Sequence, residues 1–143
     1  MRAFLDTNIL IDYLEEGRPS ARATSIIWET ARNHKIEAFV TTQSILDMFY
    51  VVSDTHKDRE AVYQFIWWML NHINVESVCA PDIFTALRSP HADFEDNAQI
   101  ACADMKGCDV FITNDRKILN RTDLQPMLVM TPEQFVEKCV YHE

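Results

Sequence analysis

Residues 1–14 read M-R-A-F-L-D-T-N-I-L-I-D-Y-L, and the reading of this opening decides the fold. Arg2–Leu5 is an apolar run of strand length. Asn8–Leu14 places Ile9, Leu10, Tyr13 and Leu14 at helical spacing. Asp6 lies at the junction, where a buried strand would end on a carboxylate.

Working outward, the same alternation recurs. Gly17-Arg18-Pro19-Ser20 breaks the first helix, and a second runs from about Ala21 to Asn33. Ala38-Phe39-Val40-Thr41 reads as a strand and Ser44–Val52 as a helix. Asp58–Ile73 is a longer helix, with Val62, Phe65, Ile66, Met69 and Leu70 on one stripe. Val75–Cys79 reads as a third strand, followed by a short helix at Asp82–Arg88 opened by Pro81. Phe94–Met105 is a helix stopped by Lys106-Gly107. Val110–Thr113 and Met127–Met130 read as the fourth and fifth strands, and Thr131-Pro132-Glu133 caps a last helix to about Val140. Short apolar strands separated by helices predict an α/β fold, three layers deep, with a five-stranded parallel sheet and helices on both faces. No linker, repeat or low-complexity tract interrupts the 143 residues, so a single domain spanning 1–143 is expected.

In such sheets, sites form beyond the carboxyl ends of the strands. Asp6 follows the first strand, and Asp115, in I-T-N-D, follows the fourth. Asp47 is the only charge in the apolar helix T-T-Q-S-I-L-D-M-F-Y-V-V. Asp93 and Asp96 open the helix in H-A-D-F-E-D-N-A-Q-I-A-C. Carboxylates gathered into one cleft repel one another unless a cation joins them. An all-oxygen donor set suits Mg²⁺ or Mn²⁺. A plainer reading stands beside these: Asp6 and Asp115 also fit as caps of the helices that follow, and Asp93 as a cap or dipole partner, with Asp96 in the same first turn. An isolated carboxylate on an apolar helix needs a partner or solvent, so Asp47 is harder to place by capping. Asp12, Asp58, Asp104, Asp109 and the glutamates read as solvated charge or caps.

The net charge of −9 argues against a simple nucleic-acid-binding module, because phosphate contacts draw on Lys and Arg. It leaves room for an enzyme that recruits cations locally. The basic residues Arg116, Lys117 and Arg121, close after Asp115, are candidate phosphate contacts. Cys79, Cys102, Cys108 and Cys139 form no C-x-x-C pair and read as reduced structural thiols. No apolar run approaches the ~20 residues of a membrane span, and no signal peptide is evident, so the expected compartment is the cytosol. Of the adjacent Trp67 and Trp68, at most one faces the core, leaving the other for an interface.

These segments together resemble the PIN-domain family, close to the VapC-type toxin ribonucleases of toxin–antitoxin pairs. F-L-D-T-N-I-L-I-D resembles the family's strand–D-T-N–helix opening. T-T-Q-S-I-L-D-M-F-Y-V resembles the segment that usually carries a glutamate, replaced here by the shorter Asp47. D-F-E-D-N-A-Q-I-A-C-A-D-M-K-G-C-D-V-F-I-T-N-D resembles the long carboxy-terminal signature. The resemblance covers nearly the whole chain. It implies a metal-dependent endoribonuclease in which Asp6, Asp47, Asp96 and Asp115 hold Mg²⁺ or Mn²⁺. It further implies Asp93 as an additional acid, Asn8 and Thr113 as shaping residues, RNA as substrate, and an antitoxin and a second copy of the chain as partners. The rival expectation is a PIN-like module that binds RNA or protein without cutting. An aspartyl-nucleophile hydrolase is disfavoured, since D-T-N lacks a second aspartate two residues after the first.

Overall fold

A computed structural model of the chain describes residues 1–15, 17–55 and 58–142. It contains the strands β1 (Arg2–Leu5), β2 (Glu37–Thr41), β3 (Asn74–Glu76), β4 (Val110–Ile112) and β5 (Leu128–Met130). The helices are α1 (Thr7–Leu14), α2 (Ala21–Arg32), α3 (Thr42–Ser53), α4 (Arg59–His72), α5 (Ala80–Arg88), α6 (Phe94–Met105), α7 (Arg116–Leu119) and α8 (Pro132–Phe135). The last continues as a π-helical turn at Val136–Val140.

All neighbouring strands pair in parallel, in the order β3-β2-β1-β4-β5. The chain works outward from β1 through β2 and β3 on one side, then crosses back to β4 and β5 on the other. The order therefore reverses between β1 and β4. Crevices at the carboxyl end of such a reversal are where open α/β sheets bind ligands.

Side chains alternate along each strand, so the sheet buries two cores. Ala3, Leu5, Val40 and Ile112 face one, which holds Ile9 and Leu10 of α1, Ile27 and Trp28 of α2, Met48 of α3 and Met69 of α4. Phe4, Phe39 and Phe111 face the other, against Ile100, Cys102 and Ala103 of α6 and Ile118 of α7. Phe4 and Phe111 stack at 5.0 Å across adjacent strands. The expected three-layer fold is present.

The differences from expectation are local. The third strand is Asn74–Glu76 rather than Val75–Cys79. Its last pairing is Glu76 with Thr41, where β2 ends and α3 begins, so 77–79 have no partner strand. The short helix α7 was not anticipated. Four residues carry too little periodicity to read, and it forms because Asp115 caps it by accepting from Lys117 N at 2.9 Å. Gly107 lies at φ +65 after α6, and its N–H donates to Asp104 O at 2.9 Å. A side chain there is strained by the backbone and would meet Arg2 Nη1 at 3.3 Å. Trp68 packs inward, edge-on to Trp28 at 5.6 Å, while Trp67 is exposed. Cys102 and Cys108 are buried, and burial pushes their thiols up to about 11 and about 12. No described helix is long and apolar enough to cross a membrane.

Candidate carboxylate site

Asp6 stands at the carboxyl end of β1, and its backbone N–H still donates to Ile112 O of β4 at 3.1 Å. Its side chain is 6% exposed. Oδ1 accepts from Thr7 N at 2.7 Å, capping α1. Oδ2 accepts from Thr113 Oγ1 at 2.7 Å and from Asn8 Nδ2 at 3.2 Å. Capping and site placement thus fall on different oxygens of one carboxylate. Burial pushes Asp6 above its ordinary value; the Thr113, Thr7 and Asn8 hydrogen bonds oppose this, and the charge of Asp115 adds to it.

Thr113 joins the two strand ends. Its hydroxyl donates to Asp6 and accepts the Asp115 backbone N–H at 2.9 Å. Asn8 serves the same junction, since Nδ2 also reaches Thr113 Oγ1 at 3.3 Å and Oδ1 accepts Asn114 N at 3.2 Å. The D-T-N and T-N-D turns are therefore one hydrogen-bonded unit, 107 residues apart in sequence between Asp6 and Thr113.

Asp96 lies in the first turn of α6, whose cap is Asp93; Asp93 Oδ1 accepts Asp96 N at 3.0 Å. Burial pushes the Asp96 carboxyl up to about 7, and repulsion from Asp93, Asp6 and Asp115 acts in the same direction. Asp47 is half-buried on α3, with Oδ1 accepting from Gln43 Nε2 at 2.9 Å. Its other neighbour is Glu95, which is raised first by a hydrogen bond to Asp47, then by desolvation and the charges of Asp47, Asp93 and Asp6. The expected acids Asp6, Asp96, Asp115 and Asp93 are thus within each other's field, and Asp47 joins them through Glu95.

Glu95 is exposed, as expected of a solvated charge, and it also lies in the field of Asp47, Asp93 and Asp6. Its signal was its place between Asp93 and Asp96 in the first helical turn. Asp12, expected to be solvated charge or a cap, is corrected: it is 5% exposed. It accepts from Arg18 Nε at 2.8 Å and Asn114 Nδ2 at 2.7 Å, and so braces the T-N-D turn from behind. Nothing in the sequence marked it, because Arg18 and Asn114 meet it only through the fold. Below the site, Thr7 and Thr41 hydroxyls converge on Ser44 Oγ at 2.9 and 3.0 Å, and Ser44 Oγ lies 3.5 Å from Gln99 Oε1. This buried network ties α1, α3 and α6 together. Arg116 and Lys117 are exposed on α7. Arg121 is not a free cation at the surface, because Asp123 engages it.

The donor set suits a hard divalent cation: carboxylate oxygens, no thiolate or imidazole, and mutual repulsion that a cation relieves. None of the five acids forms an ion pair among the described residues. As the side chains stand, no three His, Cys, Asp or Glu among the described residues converge as a ready ligand set.

The PIN domain family model matches residues 2–117, which include Asp6, Asp47, Asp93, Asp96 and Asp115. The chain belongs to the PIN domain family. This PIN domain is similar in structure to VapC20 of Mycobacterium tuberculosis, a sarcin–ricin loop cleaving toxin, with a TM-score of 0.62 and 16% identity over 76% of this chain and 86% of that one. It resembles a chain of VapBC2 from Rickettsia felis, solved bound to a DNA fragment from the promoter, at TM-score 0.64 and 16% identity over 92% of this chain and 98% of that one. A chain of a toxin–antitoxin complex from Klebsiella pneumoniae gives TM-score 0.64 and 19% identity over 91% and 97%. At these identities the likenesses carry the fold. No curated protein matches the chain in sequence.

Proposed function

We propose that this PIN domain is a metal-dependent endoribonuclease, the toxin component of a toxin–antitoxin pair. The observation that carries the reading is the group of mutually repelling carboxylates at the β1–β4 reversal, with Asp96 pushed up to about 7. Asp6, Asp96 and Asp115 would hold Mg²⁺ or Mn²⁺, with Asp93 and Asp47 beside them. A divalent cation bound there offsets the charge that develops on a phosphodiester under attack by water.

The chain's own residues supply the geometry. Thr113 and Asn8 both donate to Oδ2 and so hold the Asp6 carboxylate in one orientation. The Asp115 backbone is tied to the same hydroxyl, so one side chain links the two strand-end acids. Arg116 and Lys117, exposed beside Asp115, would meet RNA phosphates and offset locally a net charge of −9.

The toxin reading is supported by the structural neighbours, one a sarcin–ricin loop cleaving toxin and two from toxin–antitoxin complexes. An antitoxin protein and a second copy of this chain are the proposed partners, and the cytosol the proposed compartment. Exposed Tyr63, Trp67 and Leu70 on α4 supply an apolar face for such contacts. A binding PIN module that does not cut is the second reading, favoured by the net charge of −9 and by the shorter Asp47 where a glutamate is usual. Incubating a mixed RNA pool with the purified protein in Mn²⁺, Mg²⁺ or EDTA separates the two. Cutting in either metal but not in EDTA supports the nuclease. Uptake of metal by calorimetry without cutting of any RNA, ribosomal RNA included, supports the binding module.

A further inference from the structure

We infer that Arg121 is a positioning residue for the carboxylate site, acting through Asn97. This rests on the metal-dependent reading above and concerns a side chain to which that reading gives no role. Arg121 follows α7, its N–H donating to Ile118 O at 3.0 Å, and so belongs to the segment that carries Asp115. Its side chain is 8% exposed. Nε and Nη2 fork the Asp123 carboxylate at 3.0 and 2.8 Å, and Nη1 donates to Asn97 Oδ1 at 2.9 Å.

Asn97 is the neighbour of Asp96 and is 4% exposed. Its Nδ2 donates to His91 O at 2.8 Å, and its backbone N–H donates to Asp93 O at 3.0 Å. Asp123 closes the ring, with Oδ1 lying 3.3 Å from His91 Nε2. One buried guanidinium thus joins the turn bearing Asp115 to the helix start bearing Asp93 and Asp96.

Two observations make this role geometric rather than electrostatic. The Arg121 charge is matched by a bidentate carboxylate that it holds down to about 2, so little of it remains to offset the site acids or a phosphate. The Arg121–Asn97 contact also stands between two cavities of about 360 and 400 Å³, both lined by these two residues. These cavities leave fewer packing contacts at this point, so the hydrogen bonds carry more of what holds the helix start. Three carboxylates in the first turn of α6 and its cap repel one another and tend to splay it. A planar fork with five fixed donors resists that, and a lysine does not reproduce it.

The test uses the full chain. Mn²⁺ binding is measured by calorimetry well below the melting temperature for wild type, Arg121→Lys, Asn97→Ala and the double variant. Amide exchange of residues 91–97 is followed in parallel without metal. A core variant, Ile27→Val, controls for general loss of stability. Each single variant is expected to weaken Mn²⁺ binding about tenfold, as for other outer partners of metal ligands. The double variant should lose no more than the worse single, since both break one chain of contacts. Exchange at 91–97 should quicken in both, and Ile27→Val should keep wild-type affinity. Arg121→Lys affinity within about twofold of wild type, or additive losses in the double, overturns the positioning role alone. Wild-type protein that takes up no Mn²⁺ overturns the site reading, and this role with it.

Discussion

The Thr113 hydroxyl donates to Asp6 Oδ2 at 2.7 Å while accepting the Asp115 backbone N–H at 2.9 Å. One buried oxygen therefore sets the relation between acids carried by two adjacent strands. Thr113→Val keeps the shape and removes both contacts. The expected loss is about 1–3 kcal/mol in urea denaturation, because a buried carboxylate oxygen loses its shortest donor. RNA cleavage should fall as well. Unchanged stability and activity would mean that Asn8 alone suffices to hold Asp6.

Asp96 predicts how the metal-free protein responds to pH. Its carboxyl is ordinarily near 3.8 and is pushed up to about 7 in the fold. Between these values the folded chain binds more protons than the unfolded one, so this group makes stability fall as pH rises through that window. Thermal melts in EDTA should show that fall, and Asp96→Asn should flatten it. Adding Mn²⁺ at pH 7.5 should raise the wild-type melting temperature, since a ligand for the folded state stabilises it by mass action. A wild-type melting temperature that rises through the window in EDTA would contradict the crowding of charge at this site.

Asp47 is the first cause of the raised Glu95 carboxyl, and the Glu95 side chain is longer by one methylene. In the proposed metal site it would supply reach that the shorter Asp47 lacks. Glu95→Gln is therefore expected to lower Mn²⁺ affinity several-fold. Asp47→Glu should raise it or leave it unchanged. Calorimetric titration of both decides: full affinity in Glu95→Gln removes Glu95 from the site.

The two tryptophans of α4 should behave in opposite ways. Trp68 stacks on Phe65 and His72 and meets Trp28 edge-on, whereas Trp67 is 67% exposed. Trp68→Ala is expected to cost about 3 kcal/mol or more, and Trp67→Ala less than about 0.5 kcal/mol. If α4 forms an interface between copies, Trp67→Ala should instead lower the mass seen by light scattering. Unchanged mass in Trp67→Ala would place any self-association elsewhere.

The architecture was legible because its signals are local. Runs such as Val110–Ile112 and Phe39–Thr41 are too apolar and too short for anything but buried strands, and Asp6 and Asp115 follow such runs directly. What escaped depends on contacts between distant segments. Asp12 reads as the polar face of a helix until Arg18 and Asn114 are seen to enclose it. Arg121 reads as a surface cation until Asp123 and Asn97 take up its donors. Glu95 is hidden by its neighbours, because three acids in one helical turn are equally a solvated start and a site. The end of β3 at Glu76 follows from where β2 stops, and no residue of β3 itself announces it.

The most direct measurement of the central claim is cleavage of a mixed RNA pool by wild-type protein and Asp6→Asn, prepared identically and assayed in Mn²⁺, Mg²⁺ and EDTA. The account predicts cutting by the wild type in at least one metal, none in EDTA, and a loss of at least a hundredfold, on the order of 3 kcal/mol of transition-state stabilisation, in a folded Asp6→Asn. Cutting that persists in EDTA, or equal rates for the two proteins, would contradict it.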